Sequence, residues 1–245
     1  MLRRHVFFKT FPLRNVLGFI NTLPVYQVKP LYVDGTKVFN YKAIVLEGTN
    51  KVVAVVSRKF QLIQHSDVFN TFLDVLTRYY DENEIAGVVK HTNTRAYLFV
   101  TLRDFSIDGD EHRFGLMVTN GVDGTLAVWS SVFAIRQICT NGLVSTRDIA
   151  IVKSLHVGVD IQTFKERLIE RFKDVIESFE ELASNTITKL QEWRSIVLNR
   201  NKVIDTLRKV KWLPAKGLYI VRNQLVKSEV TAYDVFNALT YYLSN

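Results

Sequence analysis

The stretch from Gln162 to Val210 contains neither glycine nor proline. Its apolar residues recur at helical spacing, so this part of the chain must be mainly helical. The spacing is clearest at Phe164, Leu168, Phe172, Val175, Ile176, Phe179, Leu182 and Ala183. A break is predicted near Ser184–Thr186, where the residues favour caps. Pro214 and Gly217 are predicted to end the helical region, and Thr231–Leu243 to form a last helix.

The first 160 residues have a different pattern, in which alternating and β-branched runs are separated by turn residues. These runs predict strands at Val25–Val33, Lys42–Leu46 and Val52–Val56, and hairpins at Ile85–His91 with Arg95–Leu102 and at Arg113–Asn120 with Thr125–Ile138. Two helices are predicted here, a short one at Leu13–Leu23 and one starting at Ser66 or Asp67.

Together these patterns predict an α+β fold. An antiparallel β-meander of hairpins with one inserted helix is followed by long C-terminal helices packed on the sheet. We expect a single domain over residues 1–245, mainly β in 1–160 and mainly helical in 161–245. The composition is 47% hydrophobic and 23% charged, which is ordinary for a protein that buries a core.

The sequence also limits the possible sites in the protein and its cellular compartment. No run of about 18 apolar residues exists, so we expect no contact with a membrane. The N-terminal residues make a poor signal peptide, since Lys9, Pro12 and Arg14 follow closely. Cys139 is the only cysteine, which excludes an internal disulfide and a cysteine-based zinc site. We therefore expect a cytoplasmic protein.

Positive charge is concentrated in one part of the chain. The net charge is +8, and residues 189–227 contain ten basic side chains but only two acidic ones, Glu192 and Asp205. A concentrated basic stretch is typical of proteins that bind polyanions, although it also occurs on a solvated helix face.

Basic residues also stand beside aromatic ones. The combinations are Arg58-Lys59-Phe60, Arg95-Ala96-Tyr97, Lys211-Trp212 and Tyr219-Ile220-Val221-Arg222. Each offers a phosphate partner next to a surface on which a base can stack, as in proteins that bind single-stranded nucleic acid.

A cluster of polar residues occurs at the ends of the last predicted hairpin. It comprises Asn120, Asp123, Gly124, Arg136, Cys139 and Asn141. Strand alternation places Arg136 on a largely apolar face, where it needs an acidic or carbonyl partner. Asp123 is one candidate partner, and contact with a ligand or phosphate is the alternative. Cys139 is expected to serve packing, unless a base beside it makes it a nucleophile.

Few residues indicate catalysis. The chain has no phosphate-binding loop, no nucleophile elbow and no histidine pair at metal-ligand spacing, so we expect no cofactor and no metal. Four acidic residues, Asp104, Asp108, Asp110 and Glu111, surround Gly109. Their spacing favours a polar turn, with Mg2+-dependent nuclease chemistry as the alternative.

Several segments resemble, in order, the phage- and plasmid-borne family called domain of unknown function 932. The most specific are the Asp-Gly turn Asn120–Thr125 and the Arg136–Asn141 motif. Weaker matches are Val56–Ile63, Glu84–Gly87, Arg95–Leu98 and Thr231–Thr240. The resemblance covers roughly residues 50–243. Thr94 and Gly142 depart from the residues usual in the family.

The resemblance implies a role in phage or plasmid DNA metabolism, and the fold outline is similar to that of phage single-strand annealing proteins. We therefore expect a viral or plasmid DNA-binding protein without enzymatic activity, prone to form homo-oligomers and to prefer single strands. The predicted nucleic-acid-binding residues are Arg58, Lys59, Arg95, Arg136, Lys189, Arg194, Arg200, Lys202, Arg208, Lys209, Lys211 and Trp212.

Two alternatives remain. One is an interaction protein that binds a host protein through a docking helix within residues 162–210, with its basic charge steering it to an acidic partner. The other is a metal-dependent nuclease that uses the carboxylates of residues 104–111.

Overall fold

A computed structural model describes residues 9–107, 109–136, 142–143 and 161–244. The β-strands are β1 (Phe11–Pro12), β2 (Tyr26–Val33), β3 (Thr36–Leu46), β4 (Val52–Ser57), β5 (Ala86–His91), β6 (Arg95–Ile107), β7 (Asp110–Gly121), β8 (Trp129–Arg136), β9 (Gly142–Leu143), β10 (Val197–Asn199) and β11 (Glu229–Thr231). The helices are α1 (Leu13–Asn21), α2 (His65–Leu76), α3 (Ile161–Ser195), α4 (Arg200–Leu207), α5 (Ala215–Gln224) and α6 (Ala232–Ser244).

The described strands form three antiparallel sheets. The largest has six strands in the order β1-β5-β6-β7-β8-β9, a second has the order β2-β3-β4, and β10 pairs with β11. The predicted hairpins are therefore confirmed, as are the short helix α1, the inserted helix α2 and the last helix α6. The α+β fold class with antiparallel sheets followed by a long C-terminal helix is also confirmed.

One face of the large sheet is covered by α1, α2 and α3. Leu98 on β6, Val118 on β7 and Val132 on β8 are buried on this face with α3 side chains that include Phe164 and Phe172. Leu98 pairs directly with Val118, so their side chains point to the same side of the sheet. The core therefore joins the β-rich and the helical parts of the sequence.

The predicted break in the long helix is wrong, because α3 continues through Ser184–Thr186 to Ser195. The hydroxyl of Thr186 donates a hydrogen bond to the carbonyl of Leu182 at 2.8 Å, and that of Thr188 donates to the carbonyl of Ser184 at 3.0 Å. The polar side chains thus bond within the helix instead of ending it. Ala183 and Leu190 are buried on either side of these residues, so packing also favours continuity.

The prediction that Pro214 and Gly217 end the helical region is also wrong. Pro214 stands at the N-cap of α5, where its missing N–H costs no hydrogen bond. Gly217 lies inside α5, and a Cβ atom there would be 2.6 Å from the Tyr242 ring and 2.8 Å from the Leu213 side chain. Glycine therefore allows α5 to approach α6.

The last helix is fixed by a cap and by a buried contact with the sheet. The Thr231 hydroxyl accepts a hydrogen bond from the Asp234 N–H at 3.1 Å, and the Asp234 carboxylate accepts one from the Thr231 N–H at 2.8 Å. This reciprocal arrangement is a capping box. Within the first turn of α6, the Tyr233 hydroxyl and His112 Nε2 of β7 are hydrogen-bonded at 2.7 Å with both side chains buried. This bond connects α6 to the large sheet.

Substitution of Gly115 by alanine tests a close approach between strands of the large sheet. A Cβ atom at Gly115 would lie 1.9 Å from the Val100 carbonyl oxygen and 2.7 Å from the Phe133 ring. Gly115→Ala should lower the free energy of unfolding by about 1–3 kcal/mol, since backbone and ring must both move. Urea unfolding followed by circular dichroism measures the change.

Gly18→Ala is the matched control. Gly18 lies in α1, and a Cβ atom there would have no neighbour within 4 Å. That substitution should stabilise the protein by roughly 0.5–1 kcal/mol. Equal stability of the two variants would contradict the close approach of Val100 and Phe133 to Gly115.

Candidate nucleic-acid interface

The turn that follows β7 is organised around the Asp123 carboxylate. It accepts hydrogen bonds from the Thr94 hydroxyl at 2.8 Å, from the Thr125 N–H at 2.9 Å and from the Thr125 hydroxyl at 2.6 Å. Arg95 Nη2 donates to the Thr125 hydroxyl at 2.9 Å, and Arg95 Nε lies 3.9 Å from Asp123. The Asp-Gly turn is thereby fastened to the start of β6.

The electrostatics of this turn favour the ionised form of Asp123. Burial opposes ionisation and is the largest influence on its pKa. The hydrogen bonds from Thr125 and Thr94 and the positive charge of Arg95 together outweigh burial, so the pKa of Asp123 is lowered from its usual value.

Asn120 and Gly124 connect the same turn to the segment before α2. The Asn120 side chain is fully buried, and its Nδ2 lies 3.2 Å from the Ile63 carbonyl oxygen and 3.1 Å from His65 Nδ1. Gly124 has a φ of +76°, and a Cβ atom there would be 3.7 Å from the Phe60 ring. The Asn120 hydrogen bonds and the packing of Val122 with Phe60 hold the turn against the rest of the fold.

The predicted pairing of Arg136 with Asp123 is wrong. Arg136 pairs with His112 near the start of β7, whereas Asp123 follows the end of that strand. The two positions are about 30 Å apart at the usual rise of a strand. The predicted nucleic-acid-binding residues Arg136 and Arg95 are also separated by the length of β7, since Arg95 pairs with Gly121. Cys139 and Asn141 lie outside the described residues.

Three of the predicted basic residues between positions 189 and 212 are engaged within the fold. Arg194 lies 5.1 Å from the Tyr233 ring centroid and 4.0 Å from the Asp234 carboxylate. Arg200 donates hydrogen bonds to the carbonyls of Leu225 and Arg222 at the C-terminal end of α5. Arg208 forms an ion pair of 2.9 Å with Asp205. Arg200 in particular stabilises a helix end, where unpaired carbonyls attract cations.

The other predicted residues of this stretch point to solvent. Lys189 on α3, Lys202 on α4, and Lys209, Lys211 and Trp212 in the turn before α5 are all exposed. Within the described part of the chain, none of these lysines has a carboxylate within 4 Å. Trp212 is 57% exposed, although large aromatic side chains are usually buried.

Further exposed basic and aromatic residues follow directly in the sequence, on α5. Lys216, Tyr219 and Arg222 follow one another at three-residue spacing, so they lie along one side of the helix, and all three are exposed. Tyr219 is 67% exposed. We call Lys209, Lys211, Trp212, Lys216, Tyr219 and Arg222 the basic surface. Tyr219 and Arg222 formed one of the aromatic–basic combinations in the sequence, but neither they nor Lys216 were among the predicted binding residues. Their alignment with Lys216 follows only from α5, which was not predicted.

A small apolar core supports the basic surface from behind. It contains Ile204 and Leu207 of α4, Leu213 of the turn, and Val221 of α5, with further residues from the elements that follow. Burial of Leu213 directly beside Trp212 and Lys211 fixes the backbone of the turn. The basic surface therefore lies on packed elements, so the protein loses little conformational entropy when a ligand binds.

The acidic residues near Gly109 lie mostly in strands. β6 and β7 pair as far as Ile107 and Asp110, and Asp108 falls outside the described residues. Asp104 accepts two hydrogen bonds from the Arg113 guanidinium, at 2.7 and 3.0 Å. Across the residues that are described, no three His, Cys, Asp or Glu side chains are grouped closely enough to hold a metal ion. None of the described helices is both long and apolar enough to cross a bilayer.

Replacing Asp123 by asparagine tests the turn. Asp123→Asn should lower the free energy of unfolding by about 1–3 kcal/mol at pH 7, since the hydrogen bonds then reach a neutral acceptor. Because the folded pKa of Asp123 is lowered, its contribution is complete above the unfolded pKa of about 3.9 and is lost as the pH falls through the folded value. Urea unfolding between pH 3 and pH 7 measures the difference from the wild type, which should shrink towards pH 3.

Asp74→Asn, at an exposed position of α2, is the control and should change stability little. A difference between Asp123→Asn and the wild type that stays constant with pH would contradict the role given to the Asp123 charge.

Comparison with known protein families found a match to this chain. A family model described as domain of unknown function (DUF932) matches residues 52–245, which is most of the chain. Neither the search of curated proteins nor the search of solved structures found a match. The matched region begins with β4 and includes both the Asp123 turn and the basic surface. The chain belongs to the domain of unknown function 932 family.

Proposed function

We propose that this protein binds DNA, prefers single strands, and acts in the cytoplasm of a host cell in the replication or recombination of a phage or plasmid. The observation that carries the proposal is the basic surface, where Trp212 and Tyr219 are more than half exposed among lysines that have no carboxylate partner in the described part of the chain. Exposed aromatic rings contribute little to the fold at these positions, so a role in binding accounts for them.

The chemistry of the surface favours a single strand over a duplex. Lysine and arginine attract phosphates in either form of DNA and release bound counterions. Indole and phenol rings stack on bases, but the bases of a duplex are already stacked on one another. A surface that offers both groups therefore gains more from a single strand.

The start of α5 adds to the attraction for phosphate. Pro214 occupies the N-cap, and no side chain among the described residues caps the first turn. The first N–H groups of a helix carry a partial positive charge and bind anions. Lys211 and Lys216 stand on either side of this helix start in the sequence.

Strand annealing by a homo-oligomer is the finer form of the proposal. Its support is the resemblance of the sequence to a phage- and plasmid-borne family, together with an antiparallel sheet that has a long helix packed across it. Because a fold does not determine a function, the DNA-binding proposal rests on the basic surface instead.

The two alternatives receive less support. A docking helix in residues 162–210 would need a free apolar face, but Phe164, Phe172 and Phe179 of α3 are buried in the core. A nuclease would need free carboxylates near Gly109, but Asp104 is bound by Arg113. Divalent-metal-dependent cleavage that disappears in Asp108→Ala would favour the nuclease.

The first experiment is fluorescence anisotropy of labelled single- and double-stranded DNA of equal length over a salt series. The wild type should bind the single strand more tightly, with affinity that falls steeply as salt rises. Lys209→Ala, Lys211→Ala and Lys216→Ala in combination should weaken binding. Each phosphate interaction that these substitutions remove should reduce the slope of log K against log salt by about 0.7.

Arg167→Ala, Arg171→Ala and Lys173→Ala in combination form the matched control. They remove the same charge from the exposed side of α3 and should change binding less. Equal effects of the two triple variants would show that only net charge matters, and no binding by the wild type at low salt would refute the proposal.

A further inference from the structure

The hairpin of β2 and β3 carries aromatic side chains that the fold does not bury. Its base is anchored by Tyr26 and Ile44, which pack with Val56, Phe60 and Val122 in a small core. Tyr32, Phe39 and Tyr41 are 57%, 69% and 53% exposed. Packing therefore accounts for the residues at the base of the hairpin, but not for the exposed aromatic residues of its outer part.

The outer part of the hairpin is a two-stranded ribbon. Among the described strands, β4 pairs with β3 only as far as Tyr41, opposite Ser57. Beyond that point β3 pairs with β2 alone, at Tyr32 with Lys37 and at Val33 with Thr36. Asp34 and Gly35 close the ribbon, with φ of +50° and +77°. A ribbon of this kind gains little stability from exposed aromatic rings.

Aromatic and basic side chains are interleaved on this ribbon. Lys37 is directly opposite Tyr32, so the two share a face. The Lys37 ammonium lies 5.8 Å from the Phe39 ring centroid. An aromatic ring, a lysine and a second aromatic ring thus stand side by side at the tip.

Two predicted nucleic-acid-binding residues lie in the turn at the edge of this ribbon. Arg58 and Lys59 follow Ser57, the partner of Tyr41, and both are exposed. The Arg58 N–H donates a hydrogen bond to the Asn40 carbonyl at 2.9 Å, which holds this turn against β3. We call Tyr32, Lys37, Phe39, Tyr41, Arg58 and Lys59 the arm surface.

We propose that the arm surface is a second contact for single-stranded DNA, on which bases stack against Tyr32 and Phe39 while Lys37, Arg58 and Lys59 bind phosphates. This inference rests on the proposed function and adds to it a site far along the sequence from the basic surface. It provides aromatic rings for base stacking close to Arg58 and Lys59. The neighbouring Phe60 cannot provide one, because its side chain is buried.

Charge favours this occupant over a second copy of the chain. Residues 26–59 contain six basic side chains and two acidic ones, Asp34 and Glu47. Glu47 already accepts a hydrogen bond from Gln27 at 2.7 Å. Two such arms packed together would bring like charges into contact, whereas a phosphate backbone neutralises them.

The test uses an arm variant that carries both Tyr32→Ala and Phe39→Ala. The control variant carries Phe19→Ala and Tyr79→Ala, at two aromatic positions outside the arm that are about 40% exposed. Anisotropy is measured with an oligothymidine and with a duplex of equal length. The arm variant should bind the single strand at least tenfold more weakly and the duplex within about twofold of the wild type, because only unpaired bases stack. The control variant should match the wild type on both.

Cross-linking of an iodouracil-containing oligonucleotide to the unchanged protein gives a readout that does not depend on folding of a variant. Adducts on Tyr32, Phe39 or Tyr41 support the inference, and adducts confined to other residues overturn it.

The outcomes separate this inference from the proposed function. If the wild type binds DNA and the arm variant binds it equally well, the arm surface is refuted and the DNA-binding proposal stands. If the wild type binds no DNA, both fall. Loss of oligomers in light scattering, or loss of binding to anionic phospholipid vesicles, with unchanged DNA binding by the arm variant, would assign the arm to a second copy or to a lipid surface and overturn the inference.

Discussion

The packing of α3 across the large sheet is the constraint on which the rest of the structure depends. Phe172 of α3 meets Phe72 of α2 edge to face, with ring centroids 5.1 Å apart, and both are fully buried beside sheet residues such as Leu116. Such a contact adds about 0.5–1.5 kcal/mol to the burial of the rings. Because α3 continues to Ser195, it carries the chain from this core to α4 and α5. The position of the basic surface is thus a consequence of the hydrophobic core.

Much of the fold could be predicted from the sequence, because local pattern and tertiary packing agree. The hairpins have alternating apolar residues and Asp-Gly turns at Asp34 and Asp123, and the structure has turns at both places. The break in α3 was misjudged because Ser184–Thr186 favour caps locally, whereas burial of Ala183 and Leu190 on either side decides the outcome. Short α5 was missed because glycine is unfavourable in an isolated helix, and only the close approach of Tyr242 explains Gly217.

The candidate site was harder to predict than the fold, because residue type does not reveal a partner. Arg200 and Lys209 both belong to the basic stretch, yet Arg200 is bound to the carbonyls at the end of α5 and Lys209 points to solvent. Likewise Asp123 was predicted to pair with Arg136 because both are polar residues near the ends of one predicted hairpin. The antiparallel register instead puts them at opposite ends of β7. Arg95, which pairs with Gly121 at the nearer end, is the cation that the register places beside Asp123.

This division among the arginines and lysines bears on how the chain reconciles stability with binding. Guanidinium groups offer several donors in fixed directions and suit carbonyl and carboxylate partners inside the fold, as at Arg113 with Asp104 and Arg200 with Arg222. The lysines of the basic surface have no such partners among the described residues. Their charges therefore add little to the stability of the folded state, and they repel one another. A bound phosphate backbone would relieve that repulsion. Binding therefore draws on charge that folding leaves unsatisfied, whereas Arg200, which holds the end of α5, is already bonded before any ligand arrives.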